Sequence, residues 1–242
     1  MSKTLNNLII ERYLEINNKY TKIENFLLEK YDRSELVKYL IPAIPKMGGI
    51  IDKLLSDKLI DFQQEKLDKF FYELSHGDII LTEEVRKSNN FANYCYITME
   101  AVLKCNVIEK IDCFAKLLKN SISIEVLLKD GIYEEYLSIL EELSYRELII
   151  LTELYNLEKE NENKFSDNMT DLQKCSLYWN QFILNVQSKF DYNMSKGEIE
   201  AILSRITRTG CYREITGAYI GYTGGKGRLT PIFYKLIEYI ND

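Results

Sequence analysis

At 242 residues, 46% of them apolar and 28% charged, the chain can form one large domain or two small ones around a real core. Its net charge of -6 argues against a mainly electrostatic nucleic-acid coat protein but leaves room for a local basic patch. The opening MSKTLNNLIIERYLEINNKY interrupts each apolar run with a charge or an amide, and no run reaches ~18 apolar residues, so neither a signal peptide nor an ordinary transmembrane helix is expected.

Helical periodicity dominates, and the 3 prolines leave it largely unbroken. Thr21-Lys22-Ile23-Glu24 has the capping-box pattern of a helix start. Two prolines and two glycines in Ile41-Pro42-Ala43-Ile44-Pro45-Lys46-Met47-Gly48-Gly49-Ile50 then break the helical pattern. This stretch reads as a kinked helix–helix corner, with a membrane-meeting amphipathic hairpin as the other reading. The single histidine, His76, lies beside Gly77 and reads as a turn or cap residue.

From Ile108 to Leu118, Ile111, Phe114, Ala115 and Leu118 share one face. Another helix is expected from Tyr133 to Leu143, with Glu134, Glu135, Glu141 and Glu142 on a solvated face. Ser144-Tyr145-Arg146-Glu147 is a second capping box, and the helix behind it aligns Leu148, Leu151, Leu154 and Tyr155. The polar run EKENENKFSD has no periodicity and predicts an exposed charged loop over 158–168.

Thr170-Asp171-Leu172-Gln173 opens a helix expected to reach about Phe190 and to carry the only tryptophan, Trp179. Ser195-Lys196-Gly197-Glu198 opens the next, with Ile199, Ile202, Leu203 and Ile206 in one stripe and Gly210 placed to end it. CYREITGAYIGY then reads as strand, GYTGGKG as turn and RLT as return strand. PIFYKLIEYI is a last helix with Pro231 in its first turn.

The order helix–helix–helix–hairpin over the last hundred or so residues resembles the winged-helix fold. The resemblance makes the hairpin the wing, Ser144–Leu157 the first helix and Lys196–Thr209 the helix packed before the wing. The expected architecture is therefore mainly α. A helical bundle over 1–143 is joined to a winged-helix-like module with a short β-hairpin over 144–242.

Gly221-Tyr222-Thr223-Gly224-Gly225-Lys226-Gly227 looks at first like a phosphate-binding loop. The Walker pattern requires a glycine at 220 and a Ser or Thr at 227, and this chain has Ile220 and Gly227. The glycines fit a tight hairpin turn better, since glycine tolerates positive φ. Cys95, Cys105, Cys113, Cys175 and Cys211 are odd in number and nowhere spaced C-x-x-C, so reduced thiols are expected, without zinc or a disulfide framework. G-x-S-x-G, H-E-x-x-H and G-x-G-x-x-G are missing, and the residues point to no cofactor and no enzyme activity.

Basic residues concentrate near the C-terminus: Arg205, Arg208, Arg213, Lys226 and Arg228 stand against the single acid Glu214. Opposite the apolar stripe of the helix after Ser195 lie Gly197, Ala201, Ser204 and Arg208, small residues plus arginine that suit close approach to a nucleic-acid backbone. Glu198 and Glu200 on the same helix favour the other reading, in which the arginines meet acidic protein surface.

Over nearly its full length the chain also resembles an uncharacterised family of bacterial helical proteins found among mobile elements and in phage-defence neighbourhoods. The segments that carry this are IPKMGGIIDKLLSDK, FFYELSHGDIILTEE, IEKIDCFAKLLKNSI, YLSILEELSYRELIIL and RTGCYREITGAYIGYTGGKGRLTPIF. The resemblance implies a setting in the bacterial cytoplasm and supplies no catalytic motif. Together these readings lead to the expectation of a non-enzymatic interaction or regulatory protein, a sensor or effector of phage defence with a protein partner or a second copy of itself. The alternatives are a nucleic-acid-binding regulator and a membrane-acting helical effector.

Overall fold

The computed structural model describes residues 21–22, 24–41, 57–76, 81–123, 131–216, 222 and 224–241. The proline–glycine break at 42–50 and part of the hairpin, 217–221 and 223, lie outside them. The chain is mainly helical, with a small two-stranded antiparallel sheet near its C-terminus. It divides into two compact units, Met1–Leu137 with Asp242, and Ser138–Asn241.

In the first unit α1 covers 21–22 and 24–30, so Thr21 is itself helical rather than a cap. Then come α2 (Glu35–Leu40), α3 (Asp57–Ser75), α4 (Glu83–Lys87), α5 (Asn89–Lys104) and α6 (Ile111–Ser123). Ser34, Thr82 and Ser88 accept from the backbone N–H three residues on and start α2, α4 and α5. The core forms where α3 packs on α6, with α5 against both. Phe70, Phe71 and Leu74 of α3 and Ile111, Phe114, Ala115 and Leu118 of α6 are all buried, as the spacing of the α6 residues predicts. His76 Nδ1–H donates to the Tyr72 carbonyl, 2.7 Å away, at the C-terminal end of α3, in keeping with a cap role. α7 (Ile132–Glu142) begins in this unit, where Tyr133 stacks on Tyr94 with centroids 4.4 Å apart and shares a hydrogen bond with Thr98. Residue 138, where the second unit starts, lies inside α7, six residues before the boundary expected at Ser144.

The second unit contains α8 (Tyr145–Asn161), α9 (Asp171–Ser176), α10 (Trp179–Lys189), α11 (Lys196–Ile206), β1 (Tyr212–Glu214), β2 (Gly227–Leu229) and α12 (Pro231–Ile240). Ser144, Thr170 and Ser195 form complete capping boxes with Glu147, Gln173 and Glu198. α8 packs against α10, α11 and β2. Leu148, Leu151, Ile199, Leu203, Ile206 and Leu236 are all buried. Past α11 a single 3-10 turn ends at Gly210, whose φ of 72° is the left-handed stop expected there.

Two expectations need correction. The charged loop does not begin at 158: α8 runs on to Asn161, and Glu158 and Asn161 are buried, leaving 162–168 as the largely exposed stretch. The extra turn persists because Glu158 is held by partners more than fifteen residues away, which no local pattern announces. Likewise the helix expected from Thr170 to Phe190 is broken at Leu177–Tyr178. There the backbone tightens, with Tyr178 N–H donating to Cys175 O, and the Tyr178 hydroxyl donates to Glu158 Oε1 at 3.0 Å.

Candidate interaction surface of the C-terminal unit

The hairpin pairs Tyr212 with Leu229, Arg213 with Arg228 and Glu214 with Gly227. Gly224 and Gly225 sit between the strands with φ of 98° and 83°, values that an L side chain adopts only under strain. Gly225 N–H donates to Glu214 Oε1 at 3.3 Å, and a Cβ on Gly225 would press against the Glu200 carboxylate. The Tyr222 hydroxyl accepts from Lys226 N–H at 3.0 Å and bonds across to Ile215 O, closing the loop. A loop whose N–H already faces one carboxylate, with a second alongside, is electrostatically wrong for a phosphate. At Gly227 there is no room for a side chain, because a Cβ would collide with the Arg213 carbonyl and the Tyr212 ring.

Four of the five basic residues, the arginines, are drawn towards acids of the same unit, and Lys226 towards a serine. Arg205 Nε donates to Glu147 Oε1 at 2.9 Å. Arg208 donates from NH1 to Glu147 Oε1 at 3.1 Å, pairs through Nε with Glu142 at 2.8 Å and donates to the Glu142 carbonyl. Arg213 NH2 and Arg228 NH1 both reach Asp171, at 2.8 and 3.1 Å. Arg228 NH2 also reaches Glu158 Oε2 at 3.4 Å and lies over the Phe165 ring. Lys226 Nζ donates to Ser176 Oγ at 3.1 Å. Arg213 and Arg205 keep most of their guanidinium in solvent, whereas Arg228 is largely covered.

Sequence reading missed the other half of this arrangement. α8 carries three buried acids, Glu147, Glu153 and Glu158, and each takes a different element. Glu147 holds the end of α11 through Arg205 and Arg208. Glu153 holds α10, accepting from Asn185 at 2.6 Å and pairing with Lys189 at 3.2 Å. Glu158 holds the hairpin and α12, accepting from Leu229 N–H, Arg228, Tyr178 and the Tyr234 hydroxyl.

Burial alone pushes the Glu147 carboxyl up, but hydrogen bonds from Arg208, Ser144 and Arg205 outweigh it and bring the group down to about 2. Burial first, then the neighbouring Glu158 charge, raises the Tyr178 hydroxyl, so it remains a donor to that carboxylate. Burial also raises the Cys175 thiol to about 11 and makes it an inert core group whose S–H donates to Gly227 O.

The outer face of α11 is different in kind. Gly197, Glu198, Ala201 and Ser204 are exposed, and a Cβ on Gly197 would meet open space. Lys196 and Glu200 are paired along the same helix. What this surface offers is a smooth, charge-balanced helix face beside an ion-paired hairpin. Among the described residues no cluster of His, Cys, Asp and Glu is placed to hold a metal ion, and no helix is long and apolar enough to cross a membrane. No family model, curated protein or solved structure matches this chain.

Proposed function

We propose that this is a non-enzymatic interaction protein whose C-terminal unit is a winged-helix-like module used against protein rather than nucleic acid. One observation carries this reading: Arg205, Arg208, Arg213 and Arg228 are each ion-paired with an acid of the same unit. Phosphate binding draws its strength from unpaired cations, and pairing with Glu147, Glu142, Asp171 and Glu158 offsets part of that gain, most fully at the largely covered Arg228. The helix order and the hairpin after α11 support the winged-helix assignment, with α11 in the position of the helix before the wing. Its exposed small residues allow a partner's backbone to come close. The likeness to bacterial proteins of phage-defence neighbourhoods gives the setting, a cytoplasmic sensor or effector component.

A photo-crosslinker at Ala201 or Ser204, used in the native host, tests the reading and is expected to trap protein. Trapping nucleic acid overturns it. So does submicromolar binding of labelled duplex DNA or RNA by the purified chain, with steep salt dependence and loss on Arg213→Glu.

A further inference from the structure

The turn between α10 and α11 holds two consecutive non-glycine residues in the left-handed region, Asp191 at φ 53° and Tyr192 at φ 57°. The turn is firmly tied. Tyr192 N–H donates to Gln187 O at 2.7 Å, Asp191 N–H to Ser188 O, Asn193 N–H to Phe190 O, and the Gln187 amide to Met194 O, with the Met194 side chain buried beneath. Aspartate visits this conformation readily, but for a bulky aromatic residue it is a strained outlier. Strain of this kind persists where something else requires the residue. Packing within the unit does not, because Tyr192 is 71% exposed and buries little surface. Glycine would make the turn at lower cost.

Tyr192 lies four residues before α11, in a segment with exposed charges of both signs close by. Arg146 is exposed, and its guanidinium lies 5.0 Å over the Phe190 ring. Asp191 and Glu198 are exposed, as is Lys189, which pairs with Glu153. An arginine stacked on an aromatic ring is a platform for another aromatic ring, and the neighbouring Asp191 is its charge complement. Phe190, Asp191 and Tyr192 are consecutive and Arg146 lies over Phe190, so one patch carries platform, ring and acid, the elements an isologous contact about a two-fold axis uses.

We infer that Tyr192 anchors a contact with a second copy of this chain, its ring laid on the Arg146–Phe190 pair of the other copy and its neighbour Asp191 facing the other copy's Arg146. The inference rests on the protein-contact reading of this unit and names its partner.

The test combines sedimentation across a concentration series with urea unfolding followed by Trp179 fluorescence. Wild type is expected to dimerise. At a concentration where both proteins sediment as monomers, Tyr192→Gly should raise the folded-to-unfolded ratio about fivefold, because it relieves the strained φ, and at higher concentration it should weaken dimerisation at least tenfold. Arg146→Asp and Asp191→Arg should each abolish the dimer, and the double exchange should restore it in part, because the ion pair returns but the guanidinium platform does not. A wild type that stays monomeric up to about 100 µM, which puts any self-contact weaker than about -5 kcal/mol, overturns it. Equal dimerisation by Tyr192→Gly overturns the anchor, and so does a Tyr192→Gly variant less stable than wild type. Protein crosslinking at Ala201 is read separately, so a failed dimer and a failed protein-contact reading remain distinguishable.

Discussion

Replacing Glu147 by Gln isolates the electrostatic role of the acid that receives Arg205 and Arg208. Glutamine at this position can still close the capping box with Ser144, so the helix start survives and the charge alone is lost. The carboxyl is held at about 2, against an ordinary value of 4.5. A group depressed in the folded state contributes stability above its unfolded pKa and loses it as pH falls towards the folded one. The displacement corresponds to about 3 kcal/mol at pH 7, at ~1.36 kcal/mol for each tenfold change in proton affinity. Arg205 and Arg208 are 57% and 36% exposed, and solvent screening brings the expected loss nearer 2 kcal/mol. Trp179 is the only tryptophan and is buried in α10, so its fluorescence during urea unfolding reports on the C-terminal unit. Glu147→Gln should therefore be less stable than wild type by about 2 kcal/mol at pH 7, with the gap closing between about pH 4.5 and pH 2. An unchanged urea midpoint at pH 7, or a gap of the same size at pH 7 and pH 3, refutes the argument.

Two further outcomes concern the glycine-rich stretch. Gly227→Ala should destabilise the C-terminal unit by about 2–3 kcal/mol in the same urea assay, since its Cβ has only the Arg213 carbonyl and the Tyr212 ring to displace, whereas Gly197→Ala, with open space around it, should be neutral or stabilising. Calorimetry should detect no ATP or GTP binding, because carboxylates of Glu214 and Glu200 face the loop; tight binding lost on Lys226→Ala would restore the phosphate-loop reading.

Features governed by neighbours in the chain were legible without coordinates. The three capping boxes at Ser144, Thr170 and Ser195, the glycine stop at 210, Pro231 at the head of the last helix and the buried stripe of α6 each depend on contacts within about one turn of helix. The basic cluster was legible as composition, but its meaning was not. Arg205 and Arg208 meet Glu147 across 58 and 61 residues, and Arg228 meets Glu158 across 70. A glutamate on a helix reads as solvated whenever its partner is that far along the chain, so Glu158 reads as loop although it receives the hairpin and two tyrosines. The break at Tyr178 has the same origin: a continuous helical pattern gave way because one hydroxyl had a buried carboxylate to reach. Short-range propensity settles where helices begin and end, while desolvated charge must find its counter-charge wherever the fold has brought it, and only the packed structure decides which residues those are.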